Sequence, residues 1–248
     1  MKSNMFLDTS LYFKTFFILI SELGILFGCT YWVVYSAKKA YENNTAFMGV
    51  TFRLAVNMKN QPDLVPSDSV ETYKIFTWLT LALLVSGVLV TYVSVSQMSP
   101  LIGVICMSIN AISFGIILGF VMLDMDENDG MRAIYITLLV TLITAIIGTY
   151  GNIDFANANF GLFLFVGLLC LLGFQTARLF MEFSRKASRY WAIFGAFLFS
   201  MYLLFDFNLL MQLSERTNDW NTALFMAYSI YLDIINLILQ ILDAMSNS

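Results

Sequence analysis

Two aspartates lie inside long apolar stretches near the C-terminal end of the chain. Asp206 lies between two phenylalanines, and Asp233 lies between a leucine and an isoleucine. A carboxylate surrounded by hydrocarbon is costly, so acids in such stretches normally face the interior of a helix bundle or a water pathway, where they handle protons or cations. Asp206 and Asp233 are therefore the first candidates for function.

Asp233 belongs to a polar stripe on one helical face. Its members recur at spacings of three and four residues: Ser229, Asp233, Asn236, Gln240 and Asp243. Interhelical hydrogen bonding explains serine, asparagine and glutamine in such a stripe. It explains an ionisable aspartate less well, so we interpret Asp233 as a proton or ion site and the other four residues as its supporting polar face.

Tyr202 lies one helical turn before Asp206, so its phenol can approach that carboxylate. Since the stretches that carry Asp206 and Asp233 are consecutive, they form a helical hairpin in which the two acids can meet and share a proton. This arrangement predicts a pH-dependent latch. Counted from Arg216, however, Asp206 is ten residues back and Asp233 seventeen on, a difference in depth of about 10 Å at 1.5 Å per residue.

Glu22 is a third ionisable residue inside an apolar stretch. One interpretation places it in the same polar interior as the two aspartates. The other is a hydrogen-bonded glutamic acid that packs against another helix, and the sequence leaves both open.

The elements that carry these residues are predicted to be membrane-spanning helices. The chain is 59% hydrophobic and only 12% charged, with a mean hydropathy of +0.76, so it has too little polar surface for a soluble domain. About 20 apolar residues cross the hydrocarbon of a bilayer. The fold class predicted is all-α, a single seven-transmembrane-helix bundle over 1–248 with no strands, and its spans are 12–35, 73–96, 100–123, 133–151, 159–181, 190–212 and 221–243.

The stretch 36–72 is too polar for another crossing, and we predict a long polar loop between helices 1 and 2. Within it, 47–58 is apolar enough for a short amphipathic helix on the membrane surface. A loosely packed cap over the bundle is the alternative.

Composition and motifs exclude several functions. The net charge of -4, without a basic run, argues against nucleic acid, and the absence of histidine removes the commonest metal ligand. No nucleotide loop, nucleophile elbow or metalloprotease helix is present, so we expect neither an enzyme nor a cofactor. The acidic stretch 124–130 has Asp129 and Tyr135 where a calcium-binding loop needs glycine and glutamate, which favours a solvated turn.

Lysine and arginine are unevenly divided between the two sides of this seven-span map. Three are on the side of the N-terminus: Lys2, Lys14 and Arg216. Ten are on the other side: Lys38, Lys39, Arg53, Lys59, Lys74, Arg132, Arg178, Arg185, Lys186 and Arg189. The positive-inside rule then predicts an external N-terminus and a cytosolic C-terminus.

Two segments resemble the signature of the transmembrane Bax inhibitor motif family, which includes the Bax inhibitor and lifeguard proteins. They are 199–206, which ends in Leu-Leu-Phe-Asp, and 228–237, which contains Tyr-Leu-Asp-Ile-Ile-Asn. Asp154 and Phe155, followed by 161–163, resemble the start of that family's fifth helix. The resemblance extends from about Pro100 to Asp243, and seven spans fit it.

This resemblance implies a seven-helix protein with a pH-sensitive calcium leak and a role in suppressing cell death. It implies that Asp206 and Asp233 are the paired aspartates that gate the leak by exchanging protons. Bacterial members carry an arginine after the second helix that reaches one aspartate, whereas the joint 96–100 has no basic residue here. The resemblance also implies a cytosolic N-terminus, opposite to the charge count.

Our leading hypothesis is a passive, proton-gated calcium leak in a lipid bilayer, with Ca²⁺ as the permeant ion passing near Asp206 and Asp233. In it the deprotonated aspartates form a closed latch, and protonation or cation binding redistributes the helices. The alternatives are a non-conducting protein that binds other membrane proteins in apoptosis or stress signalling, and a proton-coupled transporter. We expect a multi-pass protein of the endomembranes in a eukaryote or virus, or of the plasma membrane in a bacterium.

Overall fold

The computed structural model describes residues 9–56, 62–123, 127–151, 153–178 and 180–246. In these ranges it has seven helices, each long and apolar enough to cross a membrane, so the predicted seven spans are confirmed. They are α1 (Leu11–Glu42), α2 (Val70–Val95), α3 (Pro100–Leu123), α4 (Glu127–Tyr150), α5 (Ala158–Arg178), α6 (Arg185–Ser214) and α7 (Trp220–Ser246). The predicted roles of Lys2, Lys59 and the acidic residues at 124–126 lie outside the described residues.

Polar residues at the helix starts explain where several spans begin. The side chains of Ser69 and Ser184 precede α2 and α6 and accept hydrogen bonds from the backbone N–H groups of Thr72 and Ala187. Asn157 does the same before α5, where it accepts from the N–H of Phe160. These side chains satisfy N–H groups that the first turn of a helix leaves unpaired.

The predictions of a strand-free chain and of an amphipathic helix over 47–58 are wrong. Strands β1 (Phe52–Val56) and β2 (Pro62–Pro66) form an antiparallel hairpin in which Phe52 is opposite Pro66. Before β1, Met48 and Gly49 both adopt positive φ angles, 52° and 79°, in a tight turn that joins Phe47 to Val50. Two successive residues with positive φ interrupt a helix, so the apolar residues that follow extend as a strand.

The contacts of the chain divide it into two compact units, 16–128 and a second unit made of 1–15 with 129–248. The prediction of a single domain over 1–248 stays a prediction. The predicted polar loop 36–72 is shorter than expected, because α1 continues to Glu42 and the hairpin occupies much of the remainder.

In the unit 16–128, α2 packs against α3, and β2 of the hairpin contacts α3. Val33 and Ala37 of α1 form a buried apolar cluster with Val50 and with Phe120 of α3. The ring of Phe120 also contacts that of Phe52, at 6.3 Å between ring centroids. The hairpin is therefore held to the helices of its own unit by apolar and aromatic contacts.

In the other unit, α6 packs against both α7 and α5. The turn 215–219 that joins α6 to α7 is held by Lys14 from the start of α1. The buried Lys14 ammonium donates to the backbone carbonyl of Asn218 at 2.6 Å and lies 5.3 Å from the centroid of the Trp220 ring. This turn fixes the hairpin that carries Asp206 and Asp233.

Candidate functional site

Asp206 on α6 and Asp233 on α7 lie side by side in the interior of the unit. Their residues are only 5% and 8% exposed, and the two carboxyl groups lie within hydrogen-bonding reach of each other. Oδ2 of each is buried, and no described residue donates a hydrogen bond to it. Two carboxyl groups so close to each other can share one proton or hold one cation between them, because two unscreened negative charges there are costly.

The depth difference expected from the sequence does not prevent this contact. The count from Arg216 assumed that the hairpin turns at that residue, whereas α6 ends at Ser214 and α7 begins at Trp220, which centres the turn on Thr217. The difference then falls to five residues, or about 7.5 Å at 1.5 Å per residue. The two acids are direct neighbours in spite of it.

Ser229 is a polar neighbour of the pair. Its hydroxyl lies close enough to the Asp206 carboxyl group to interact with it, one turn before Asp233 on α7. Around Asp206, the side chains of Leu203, Leu204 and Phe207 are buried. A mostly apolar surrounding strengthens electrostatic interactions between the few polar groups inside it.

The polar stripe predicted on the last helix faces a cleft of about 380 Å³ between α5, α6 and α7. Four of its five members line this cleft, namely Ser229, Asp233, Asn236 and Gln240. Tyr202 of α6 lines it as well, and so do residues of α5. The stripe therefore gathers the predicted supporting residues around one polar space that reaches Asp233.

Asp243, the fifth member of the stripe, makes an ion pair with Arg178 at the end of α5. The Arg178 Nη1 lies 2.7 Å from Asp243 Oδ2, and Nη2 lies 3.4 Å from Oδ1. Sequence reasoning missed Arg178 and the cleft residue Gln175. Their spacing of three on one face of α5 was a signal, but Arg178 and Asp243 are 65 positions apart in the sequence, which gave no means of pairing them.

Sequence reasoning also missed Asn208, which lies fully buried on α6. Its amide nitrogen donates to the carbonyl of Gly148 in α4, and its amide oxygen accepts from the backbone N–H groups of Phe155 and Ala156. Asn208 thus joins α6 to the link before α5, two residues away from Asp206. The Asp154–Phe155 segment singled out in the sequence is part of this link.

Glu22 lies in the unit 16–128, on α1. It is 1% exposed, and its Oε1 accepts a hydrogen bond of 2.8 Å from the hydroxyl of Ser108 on α3. The sequence left open whether Glu22 joins the aspartates or packs against another helix, and the contact that the structure gives it is with Ser108.

Within the described ranges, no three residues of the types His, Cys, Asp and Glu come together as a metal site. The donor set around Asp206 and Asp233 consists of two carboxyl groups with hydroxyl and amide groups nearby. These are oxygen donors of the kind that Ca²⁺ prefers to nitrogen or sulfur.

These features define a class: an integral, multi-pass membrane protein whose described residues form seven spanning helices, with two carboxylic acids buried between the last two. The outward surfaces of the spans are apolar, as contact with a lipid bilayer requires.

A family model described as Bax1-I, inhibitor of apoptosis-promoting Bax1, matches residues 14–248. The chain therefore belongs to the Bax inhibitor family, and the resemblance seen in its last two spans extends over nearly the whole sequence. No curated protein matches the sequence significantly.

Proposed function

We propose that this protein is a passive calcium leak of the Bax inhibitor type, gated by proton exchange at Asp206 and Asp233, which modulates calcium levels and cell death. The observation that carries the proposal is the direct apposition of two buried carboxyl groups on adjacent membrane-spanning helices. The permeant species are calcium ions and protons, and the role involves no chemical conversion of a substrate.

The proposed gate works through the charge of the pair. When the two carboxyl groups share one proton, they hold α6 and α7 together, and this is the closed latch. A change in protonation, or replacement of the proton by a calcium ion, alters that attraction and redistributes the helices. The sequence led us to expect a closed latch in which both aspartates are deprotonated. A closed latch with one shared proton better suits two carboxyl groups that lie within hydrogen-bonding reach of each other.

The proposal is tested by calcium flux through the purified protein in liposomes across about pH 5 to 8. We expect the wild-type flux to vary with pH. Asp233→Asn and Asp206→Asn should remove most of that variation, because an asparagine amide can still hydrogen-bond to the remaining acid but does not titrate. The matched control is Asp68→Asn, the same chemical change at an exposed site whose carboxylate pairs with Arg53.

An unaltered pH profile in Asp233→Asn would contradict the gate, and absence of calcium flux in the wild-type protein would contradict the leak. In the second case, capture of the same membrane-protein partners by wild type and by the Asp206→Asn, Asp233→Asn double variant would favour the non-conducting interaction protein.

A further inference from the structure

The cleft between α5, α6 and α7 has the size and lining of a hydrated chamber. Its volume of about 380 Å³ exceeds that of several water molecules, each of which occupies about 30 Å³ in the liquid. Asp233, Asn236 and Gln240 follow one another along α7, and Gln175 lines the cleft from α5. Amide and carboxyl groups between membrane-spanning helices need hydrogen-bond partners, and water in the cleft can supply those that the protein leaves unmet.

The unpaired oxygen of Asp233 is the second observation that points to a ligand. Asp233 lines the cleft, its residue is more than nine-tenths buried, and its Oδ2 accepts no hydrogen bond from a described residue. A buried carboxylate oxygen in that position is stabilised by water or by a cation. The cleft is the space from which either can reach it.

The Arg178–Asp243 ion pair lies at one end of this cleft. Arg178 is three residues after Gln175 on α5, and Asp243 is three residues after Gln240 on α7, so each partner is about one helical turn beyond a lining residue. The two side chains are 34% and 29% exposed, which places the pair at the boundary between cleft and surroundings. Its two hydrogen bonds tie α5 to α7 at that end.

Two helix C-termini place negative partial charge beside the ion pair, although the formal charge of this end is positive. Arg178 is in the last turn of α5, and Asp243 is in the last turn of α7, and helix C-termini carry partial negative charge. The other charged residues of this end, Glu182 before α6 and Arg185, Lys186 and Arg189 at its start, have exposed side chains. A divalent cation can therefore replace the guanidinium of Arg178 as the partner of Asp243.

We propose that the cleft is a water-filled vestibule for a hydrated divalent cation, and that the Arg178–Asp243 ion pair is its gate. A cation that binds Asp243 releases Arg178 and then has a path lined by Gln240, Gln175 and Asn236 to Asp233. The identity of the ion as calcium rests on the proposed function, whereas the hydrated cleft and its gate do not.

The test is the rate at which a cysteine in the cleft reacts with charged, water-soluble methanethiosulfonate reagents. Cys29, Cys106 and Cys170 are first replaced by serine, and Asn236→Cys is introduced into the full chain in liposomes. The matched control is Leu169→Cys, on the exposed side of α5 next to the lining residue Leu168. We expect the cationic reagent to label Asn236→Cys faster than Leu169→Cys, and faster than the anionic reagent of the same size does.

The gate is tested on the same background. Arg178→Gln should raise the labelling rate of Asn236→Cys by about fivefold, in line with the loss of one partly exposed ion pair. The exchanged pair, Arg178→Asp with Asp243→Arg, should return the rate toward its original value if the pair itself closes the cleft. Millimolar CaCl₂ should slow labelling by the cationic reagent, and Asp243→Asn should weaken that protection.

Labelling of Asn236→Cys no faster than that of Leu169→Cys would overturn the vestibule, and an unchanged rate in Arg178→Gln would overturn the gate. Protein that elutes from size exclusion at the wild-type volume shows that each variant is folded. Because labelling needs no flux, the two proposals fail separately. If the cleft cysteine is labelled as expected but the wild-type protein leaks no calcium, the vestibule stands and the leak does not. If calcium flux depends on pH but the cleft cysteine is not labelled, the leak stands and the vestibule does not.

Discussion

Asn208 on α6 donates a hydrogen bond of 2.9 Å to the backbone carbonyl of Gly148 in α4. The same side chain accepts from the N–H groups of Phe155 and Ala156, at 3.1 and 3.0 Å. A Cβ at Gly148 would lie 2.9 Å from the carbonyl oxygen of Leu204, so the two helices approach closely at this point. The amide nitrogen also donates to the carbonyl of Ile153 at 3.3 Å, so one asparagine satisfies four backbone groups of α4 and of the link before α5.

We predict that Asn208→Ala lowers the free energy of unfolding by about 3 kcal/mol, because it leaves these backbone groups, of which the Gly148 carbonyl is buried, without their partner. The measurement is denaturation of the purified protein in detergent. Gln212→Ala is the control. One turn further along α6, Gln212 donates to Asp154 at 2.8 Å and to the Asn208 amide oxygen at 3.3 Å. Its loss leaves the bonds between Asn208 and the backbone in place, so it should cost less than about 1 kcal/mol. Equal losses in the two variants would contradict a structural role specific to Asn208.

A pair of glycines on α3 sets a second close helix contact. A Cβ at Gly115 would lie 2.5 Å from the carbonyl oxygen of Leu26 and 2.8 Å from Cβ of Cys29, both on α1. One turn later, a Cβ at Gly119 would lie 2.7 Å from Cβ of Val33. This is the spacing of small residues at which membrane helices approach closely.

Gly115→Ala should therefore destabilise the protein by about 2 kcal/mol, since a backbone carbonyl cannot move aside without shifting α1. Gly28→Ala on α1 is the matched control, because its Cβ would meet nothing within 4 Å. There alanine should be neutral or slightly stabilising, as helix propensity favours it by up to about 1 kcal/mol. The measurement is thermal melting of the two variants in detergent. If the Gly115→Ala curve coincides with the Gly28→Ala curve, the contact at Gly115 is not tight.

The seven spans and the polar stripe of α7 could be predicted because both are local. A run of about 20 apolar residues identifies a crossing by itself, and the period of Ser229, Asp233 and Asn236 identifies a face. The hairpin at Phe52 was not predicted because a dozen apolar residues fit a surface helix equally well. The positive φ of Met48 excludes that helix, but a backbone angle of this kind is not visible in the pattern of apolar residues. The pairing of Arg178 with Asp243 joins distant residues, which spacing does not reveal.

The turn before α7 supplies a prediction on pH. Burial alone raises the pKa of Asp219, but hydrogen bonds from the hydroxyls of Thr217 and Thr222, and from backbone N–H groups, outweigh it and lower the pKa to about 2. The N–H of Thr222 donates to Asp219 Oδ1 at 2.8 Å, so Asp219 caps the start of α7. Because the folded pKa is below the ordinary value of 3.8, the stability it contributes is present above about pH 4 and is lost as pH falls toward 2.

Asp219→Asn separates this titration from capping. Asparagine caps helices about as well as aspartate does, so we expect little change in stability at neutral pH and a smaller loss than in wild type between about pH 4 and 2. Asp219→Ala should lose about 1 kcal/mol at neutral pH, because the cap itself is gone. Thermal melting as a function of pH measures both effects, and parallel pH curves for wild type and Asp219→Asn would refute the assignment.

The contact between Glu22 and Ser108 supplies the last prediction. Glu22→Gln keeps the side-chain oxygen that accepts from the Ser108 hydroxyl and removes the ionisable group, so the stability should change by less than about 1 kcal/mol. Glu22→Ala and Ser108→Ala should each destabilise the protein, and their double variant should cost about 1 kcal/mol less than the sum, since one hydrogen bond is lost in all three.

Glu22→Gln also bears on the gate. If the pH dependence of calcium flux belongs to Asp206 and Asp233, the Glu22→Gln profile in liposomes should coincide with that of wild type, whereas Asp233→Asn should flatten it. A profile flattened by Glu22→Gln alone, with the melting temperature unchanged, would assign the proton-sensing role to Glu22 in the unit 16–128. The comparison is informative because Glu22→Gln retains the hydrogen bond, so an effect on flux could not be attributed to the loss of the contact with Ser108.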